Sequence, residues 1–281
     1  MINAWSHTEK FRTVLVTSAS MLAFAGNSLL CRIALNTTEI DPASFTAIRL
    51  ASGAIVLWLL MSCRHQKSTG SWLSALALFV YATAFSFAYA GMSAGTGALL
   101  LFGTVQLTML GTGLCRGERL GLKQAGGLCI AIAGVSTLLI PSATAPTFSM
   151  AMLMVLAGLA WAIYSLRGKR AGDPAQATAG NFIRASPMAL LLLAVWLPNL
   201  KWELAGVWYA ILSGAFTSAL GYVVWYAATT RLKATTAASA QLSVPALTAI
   251  GGALLLGEAT SWQLLASCVA VLGGVALASR P

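Results

Sequence analysis

Arg49 and Arg184 stand inside two apolar stretches, 43–62 and 176–197, that hold no other charged residue. An arginine at bilayer depth costs about 2.5 to 3.5 kcal/mol on insertion scales, so each needs a polar partner or a path to the interface. Arg49 lies several residues inside its stretch and has the charge to attract a solute carboxylate; helix-end capping or outward snorkelling is the structural alternative for both arginines. Aromatic residues recur at helical spacing: Tyr81, Phe85 and Tyr89 on one face, Trp161 and Tyr164 three apart, and Tyr222, Trp225 and Tyr226 together. Such a wall suits an apolar or aromatic solute. An interfacial belt is the other use of these residue types, and it accounts for Tyr226, Trp72 and Trp262 near the stretch ends. Hydroxyls and amides concentrate in 96–114, with Thr96, Thr104, Gln106, Thr108 and Thr112, and in 235–256, with Thr235, Ser239, Gln241, Ser243 and Thr248. Thr235, Ser239 and Ser243 recur every four residues and form one stripe, facing either a solute or their own i−4 carbonyls and neighbouring helices.

The missing residue types narrow the chemistry. No Asp or Glu lies well inside an apolar stretch, and His7 and His65 both fall outside them. A membrane enzyme needs a buried acid-base, nucleophilic or metal constellation, and a proton pump needs an ionisable relay; neither has candidates. No catalytic residue, metal site or cofactor is expected. Cys31, Cys63, Cys115, Cys129 and Cys268 follow no CxxC or Cys/His spacing and read as apolar filler.

The elements that must position these residues are membrane helices. The chain of 281 residues is 58% hydrophobic and 9% charged, with a mean hydropathy of +0.80, far from soluble composition. A span needs about 20 apolar residues. Ten fit, at 13–31, 43–62, 72–91, 96–114, 122–140, 149–166, 176–197, 204–227, 235–256 and 262–279, with no room for a soluble domain. The first is too long for a signal h-region and lacks a cleavage pattern, so it is expected to stay as a span. Pro187 and Pro245 fall near the middles of the seventh and ninth spans, where a proline removes a helical hydrogen bond and can act as a hinge. Spans five and ten are dominated by Ala, Val, Leu, Ile and Gly and should face lipid; four and nine should face the interior.

An even span count puts both termini on one side. With the loops of that side they carry Lys10, Arg12, Arg64, Lys67, Arg116, Arg119, Lys123, Arg167, Lys169, Arg170, Arg231, Lys233 and Arg280, against Arg32 and Lys201 opposite. The positive-inside bias makes the first side cytoplasmic, and it explains the net charge of +10 without nucleic acid.

The chain also repeats. Gly117-Glu118, Gly127, Ile132 and Gly134 align with Gly257-Glu258, Ser267, Leu272 and Gly274 at an offset of 140, and the Ile-Arg pairs at Arg49 and Arg184 at 135. Halves of 1–145 and 146–281 with five spans each must thread the membrane in opposite senses, the inverted repeat of many secondary transporters, whose solute site lies near the midplane between the halves. Glu118 and Glu258 fall at turns, where each is expected to cap the helix that follows.

The segment from Gly117-Glu118 to Gly134-Val135 resembles the signature joining the fourth and fifth helices of the EamA-like drug/metabolite transporter superfamily, and Gly257-Glu258 with Gly274-Val275 resembles its second copy. Within that superfamily, the aromatic content of helices three, six and eight is similar to that of a bacterial aromatic amino-acid exporter. The resemblance implies an all-α bacterial inner-membrane protein, with helices one to four and six to nine around a central cavity, five and ten peripheral, and alternating access by the halves. The expected partners are a small organic solute and the lipid bilayer; drugs, nucleosides and other metabolites stay open as solutes beside amino acids, and a scaffold or receptor subunit stays open as another class. The residues expected to meet solute are Tyr81, Phe85, Tyr89, Gln106, Trp161, Tyr164, Ser239 and Ser243.

Overall fold

The computed structural model describes residues 7–115, 121–137, 146–168, 172–229, 232, 240–241 and 243–278, and all the regular structure among them is helical. The helices are α1 (His7–Thr37), α2 (Pro42–Cys63), α3 (Trp72–Tyr89), α4 (Ala94–Cys115), α5 (Leu122–Thr137), α6 (Phe148–Gly168), α7 (Pro174–Trp196), α8 (Leu204–Thr229), α9 (Ser243–Leu256) and α10 (Trp262–Ala278). Seven of these, α1 to α4 and α6 to α8, contain stretches long and apolar enough to cross a membrane; α9 and α10 are shorter apolar helices and α5 has 16 residues. The chain is a multi-pass membrane protein.

Local chemistry sets the helix starts. Asp41 ends its extended backbone at the Pro42 start of α2, and its carboxylate accepts the Ala43 and Ser44 N–H groups. Asp173 does the same before Pro174 at α7, accepting the Gln176 N–H. An acidic cap satisfies orphan donors, and proline at the first helical position gives up an N–H that had no partner. In the middle of α8, residues Ser213–Leu220 widen to π-helical turns between the α-helical ends Leu204–Leu212 and Gly221–Thr229.

Packing between the first five helices and the last five follows a consistent exchange. Helix α1 packs on α8 and α9, as α6 packs on α3 and α4; α2 packs on α8, as α7 packs on α3; and α2·α7, α4·α9 and α5·α10 pair directly. Helix α4 is deeply buried, with Thr96, Thr104 and Gln106 inside. In α5 only Gly127, Ala131 and Gly134 are buried, and they face α10. Exposed Phe11, Leu22, Trp58, Leu191 and Trp208 form part of the outer apolar surface, as a lipid-facing shell requires.

Candidate functional site

The interior polar centre is built on Arg49. The residue is 1% exposed and lies in the first half of α2. Nε donates to Ser218 Oγ at 3.0 Å, and Nη2 donates to the hydroxyls of Tyr81 at 3.3 Å and Tyr222 at 3.2 Å. The guanidinium carbon lies 5.2 Å and 5.0 Å from the ring centres of Tyr81 and Phe85, within cation–π range. Nη1 has no partner, and among the described residues no carboxylate pairs with this arginine. The cation is thus held by neutral hydroxyls and ring faces alone, with one donor edge left uncommitted.

Asn27 of α1 organises those hydroxyls. Its Oδ1 accepts from Ser213, Ser218 and Thr217, and its Nδ2 donates to the Tyr81 hydroxyl at 3.3 Å. The π-helical turns of α8 supply three of these groups within six residues, and Gly214 there lets the backbone lie directly on the Arg49 carbonyl and Ser52. Such turns gather at functional sites because they shift side-chain register inside a helix. Asn27, Ser213 and Ser218 were invisible as site residues in the sequence, where they are isolated small polar residues without a shared spacing.

Around this centre stand the aromatic rings. Trp161 lies 4.9 Å from Tyr81, 4.7 Å from Tyr222 and 5.8 Å from Phe24, centre to centre; Phe85 bridges Tyr81 at 5.3 Å and Tyr89 at 4.7 Å. The two halves contribute to one chamber, lined by Phe24, Asn27, Tyr81, Phe85, Trp161 and Tyr222, and its free volume is about 10 Å³. That is about the room for one water. The chamber is filled by its own side chains.

A larger cavity of about 540 Å³ opens beside the 64–71 loop, among α3, α6, α7 and α8. Ser71, Ser74, Tyr164, Arg167, Asn181 and Tyr226 are among its lining residues. Tyr164 separates it from the chamber, 5.6 Å from Trp161 and 6.3 Å from both Tyr222 and Tyr226. Tyr226, expected in an interfacial belt, is 5% exposed and belongs to this wall.

The opposite end is tied shut between the halves. Arg32 Nε and Glu258 Oε1 form an ion pair at 2.9 Å, Arg32 Nη1 donates to the Tyr89 carbonyl, and Glu258 Oε2 accepts the Ala94 N–H. Gly257, at φ +63°, makes the turn that returns Glu258 there. Glu258 therefore caps α4, not the following helix α10, because the turn points its carboxylate across the molecule; Ser261 starts α10 instead, accepting the Leu264 N–H. Nearby, Asp41 Oδ2 accepts the Lys201 N–H and Glu203 accepts the Glu39 N–H.

The other sequence-expected residues are dispersed. Tyr89 is buried beside α4, its hydroxyl donating to the Ala94 carbonyl. Gln106 is buried and donates to Gln241, ahead of the start of α9. Arg184 is half-buried; its guanidinium donates to the Thr69 and Gly180 carbonyls and lies 5.9 Å from the Trp72 ring. Ser243 is exposed and donates to the Ala240 carbonyl at i−3, while Thr108, Thr112 and Thr248 return their hydroxyls to i−4 carbonyls. Pro187 is interior to α7, whereas Pro245 is the third residue of α9 as described. Ser239, Thr235, Glu118 and Gly117 lie outside the described residues.

Comparison with known proteins agrees with this architecture. A Pseudomonas aeruginosa protein described as uncharacterized is 54% identical over 273 residues, covering 96% of this chain and 95% of its own. The threonine/homoserine exporter RhtA of Salmonella typhimurium is 33% identical over 125 residues, 43% of this chain and 42% of its own. A solved crystal structure at 18% identity superposes with a TM-score of 0.67 over 95% of this chain and 96% of its own, a likeness of fold. The family model described as the EamA-like transporter family matches twice, at residues 11–140 and 148–280. With each half of the molecule matching that unit separately, the chain belongs to the EamA-like transporter family.

Proposed function

We propose that the protein exports small organic solutes, foremost amino acids including aromatic ones, from a bacterial cytoplasm across the inner membrane. Two five-helix halves, 1–145 and 146–281, alternate in exposing the chamber, without obligatory proton coupling. The observation that carries this reading is Arg49: a buried cation between the halves, boxed by aromatic rings, with Nη1 unpaired. A guanidinium edge and ring faces together match a carboxylate attached to an apolar side chain. Opening the chamber by rotating Trp161 and Tyr164 would admit such a solute, whose carboxylate takes the free edge of Arg49.

The inverted relation of the halves is supported by chain direction. The end of α1 at Arg32, the end of α3 at Tyr89 and the start of α4 at Ala94 meet at Glu258. The neighbouring Gly91 lies against Met150, close to the start of α6. Helix α1 therefore runs toward that end and α6 away from it. The charge bias puts the termini and the larger cavity on the cytoplasmic side, which makes this an inward-open arrangement with its outer end closed. Export by the relative RhtA supports the amino-acid class.

Uptake of labelled phenylalanine and threonine into proteoliposomes, with and without a pH gradient, tests the proposal. Saturable uptake and counterflow at equal pH are expected. Strict dependence on the proton gradient overturns the uncoupled mechanism, and absence of amino-acid movement under both conditions overturns the solute class.

A further inference from the structure

We infer that the 540 Å³ vestibule is a second solute site, a carboxylate-selecting station centred on Arg167 that loads the chamber beyond Tyr164. It rests on the transport reading above, and it assigns binding to residues outside the Arg49 centre. Arg167 sits in the last turn of α6. Its Nε donates to Ser74 Oγ at 3.0 Å and Nη2 to Ser71 Oγ at 3.4 Å, so both acceptors are neutral. Among the described residues no carboxylate pairs with it, and the vestibule lining contains no Asp or Glu.

The rest of the lining offers donors. Asn181 spends its side-chain oxygen on the Ser71 N–H, which turns its amide nitrogen toward donation. The Tyr164 hydroxyl is buried against Asn181 and Thr178, and the Tyr226 hydroxyl against Ser165. Thr178 has already given its proton to the Pro174 carbonyl. A fixed positive charge with amide and phenol donors, and among the described residues no carboxylate paired with it, selects a carboxylate, and the tyrosine rings take an apolar side chain behind it. Bound there, the solute is one aromatic ring away from the chamber, and Arg49, with Nη1 unpaired, stands behind the Tyr81 and Tyr222 hydroxyls that line it. Two arginines then read the same carboxylate in succession, and Tyr164 is the partition crossed between them.

The test is competition binding to the purified full-length protein in detergent, with 3-phenylpropionate, phenethylamine and inorganic phosphate displacing tritiated phenylalanine. In wild type, 3-phenylpropionate should compete far better than phenethylamine or phosphate. Arg167→Gln should weaken 3-phenylpropionate at least tenfold and leave phenethylamine unchanged, with Arg167→Lys in between. Equal potency of 3-phenylpropionate in wild type and R167Q overturns the site, as does wild-type binding led by phenethylamine or phosphate. In proteoliposomes R167Q should raise the half-saturating phenylalanine concentration on the cytoplasmic face and leave the maximal rate near that of wild type. Transport with unchanged half-saturation overturns the site and spares the transport reading; intact carboxylate binding without any transport does the reverse.

Discussion

Arg49 was legible in the sequence as a lone charge in an apolar stretch, because burying a guanidinium is expensive enough to be conspicuous. Its surroundings were not. Asn27, Ser213 and Ser218 come from distant parts of the chain, and only folding reveals that one amide oxygen collects three hydroxyls around the arginine. The aromatic residues were more readable, since helical spacing already put Tyr81 and Phe85 on one face, yet the crossing that joins them to Trp161 and Tyr222 is tertiary. Trp161→Ala and Tyr81→Ala should each lower transport efficiency on the order of tenfold, the equivalent of losing about 1.4 kcal/mol of solute contact. Both variants should elute as folded protein, and wild-type kinetics in both would remove the aromatic wall. Arg49→Lys keeps the charge and loses the planar fork. It should raise the half-saturating phenylalanine concentration more than it lowers the maximal rate, measured by counterflow.

Helix positions followed closely from apolar length and turn formers, and the Asp-Pro starts of α2 and α7 are a matching pair in the two halves. The π-helical turns of α8 were not foreseeable, because hydrophobic periodicity does not register an i→i+5 shift in backbone bonding. They matter through Gly214, where a Cβ would collide with the Arg49 carbonyl and Ser52. Gly214→Ala should destabilise the protein by about 1 to 3 kcal/mol, the range for overpacking a tight contact, and a melting temperature in detergent equal to wild type would show that α8 can yield. The lipid-facing pair α5·α10 depends on similar close approach: a Cβ on Gly274 would stand 2.6 Å from the Ala131 nitrogen and the Gly127 carbonyl. Small residues permit such backbone contact between membrane helices. Gly274→Val should lower the melting temperature while the half-saturating solute concentration stays at the wild-type value, since neither helix reaches the chamber; a changed half-saturation would contradict that separation.

Across the whole molecule, the two halves are tied at one end and parted at the other. Among the described residues, Arg32 pairs with Glu258, while Arg167, 135 positions further on, bonds to serines. A sequence repeat predicts equivalent positions but not which of two alternative closures is formed. Glu258→Gln removes the ion pair and keeps the size of the side chain. It should open the closed end more often, and a cysteine at Ser28, which lines the chamber, should then react faster from that side. The most direct measurement of the central claim uses the same Ser28→Cys reporter alone, in a cysteine-free background, with a membrane-impermeant thiol reagent applied to sealed vesicles of either orientation. Alternating access predicts labelling from both sides, slowed by phenylalanine. Absence of labelling from either side, with and without solute, would contradict it.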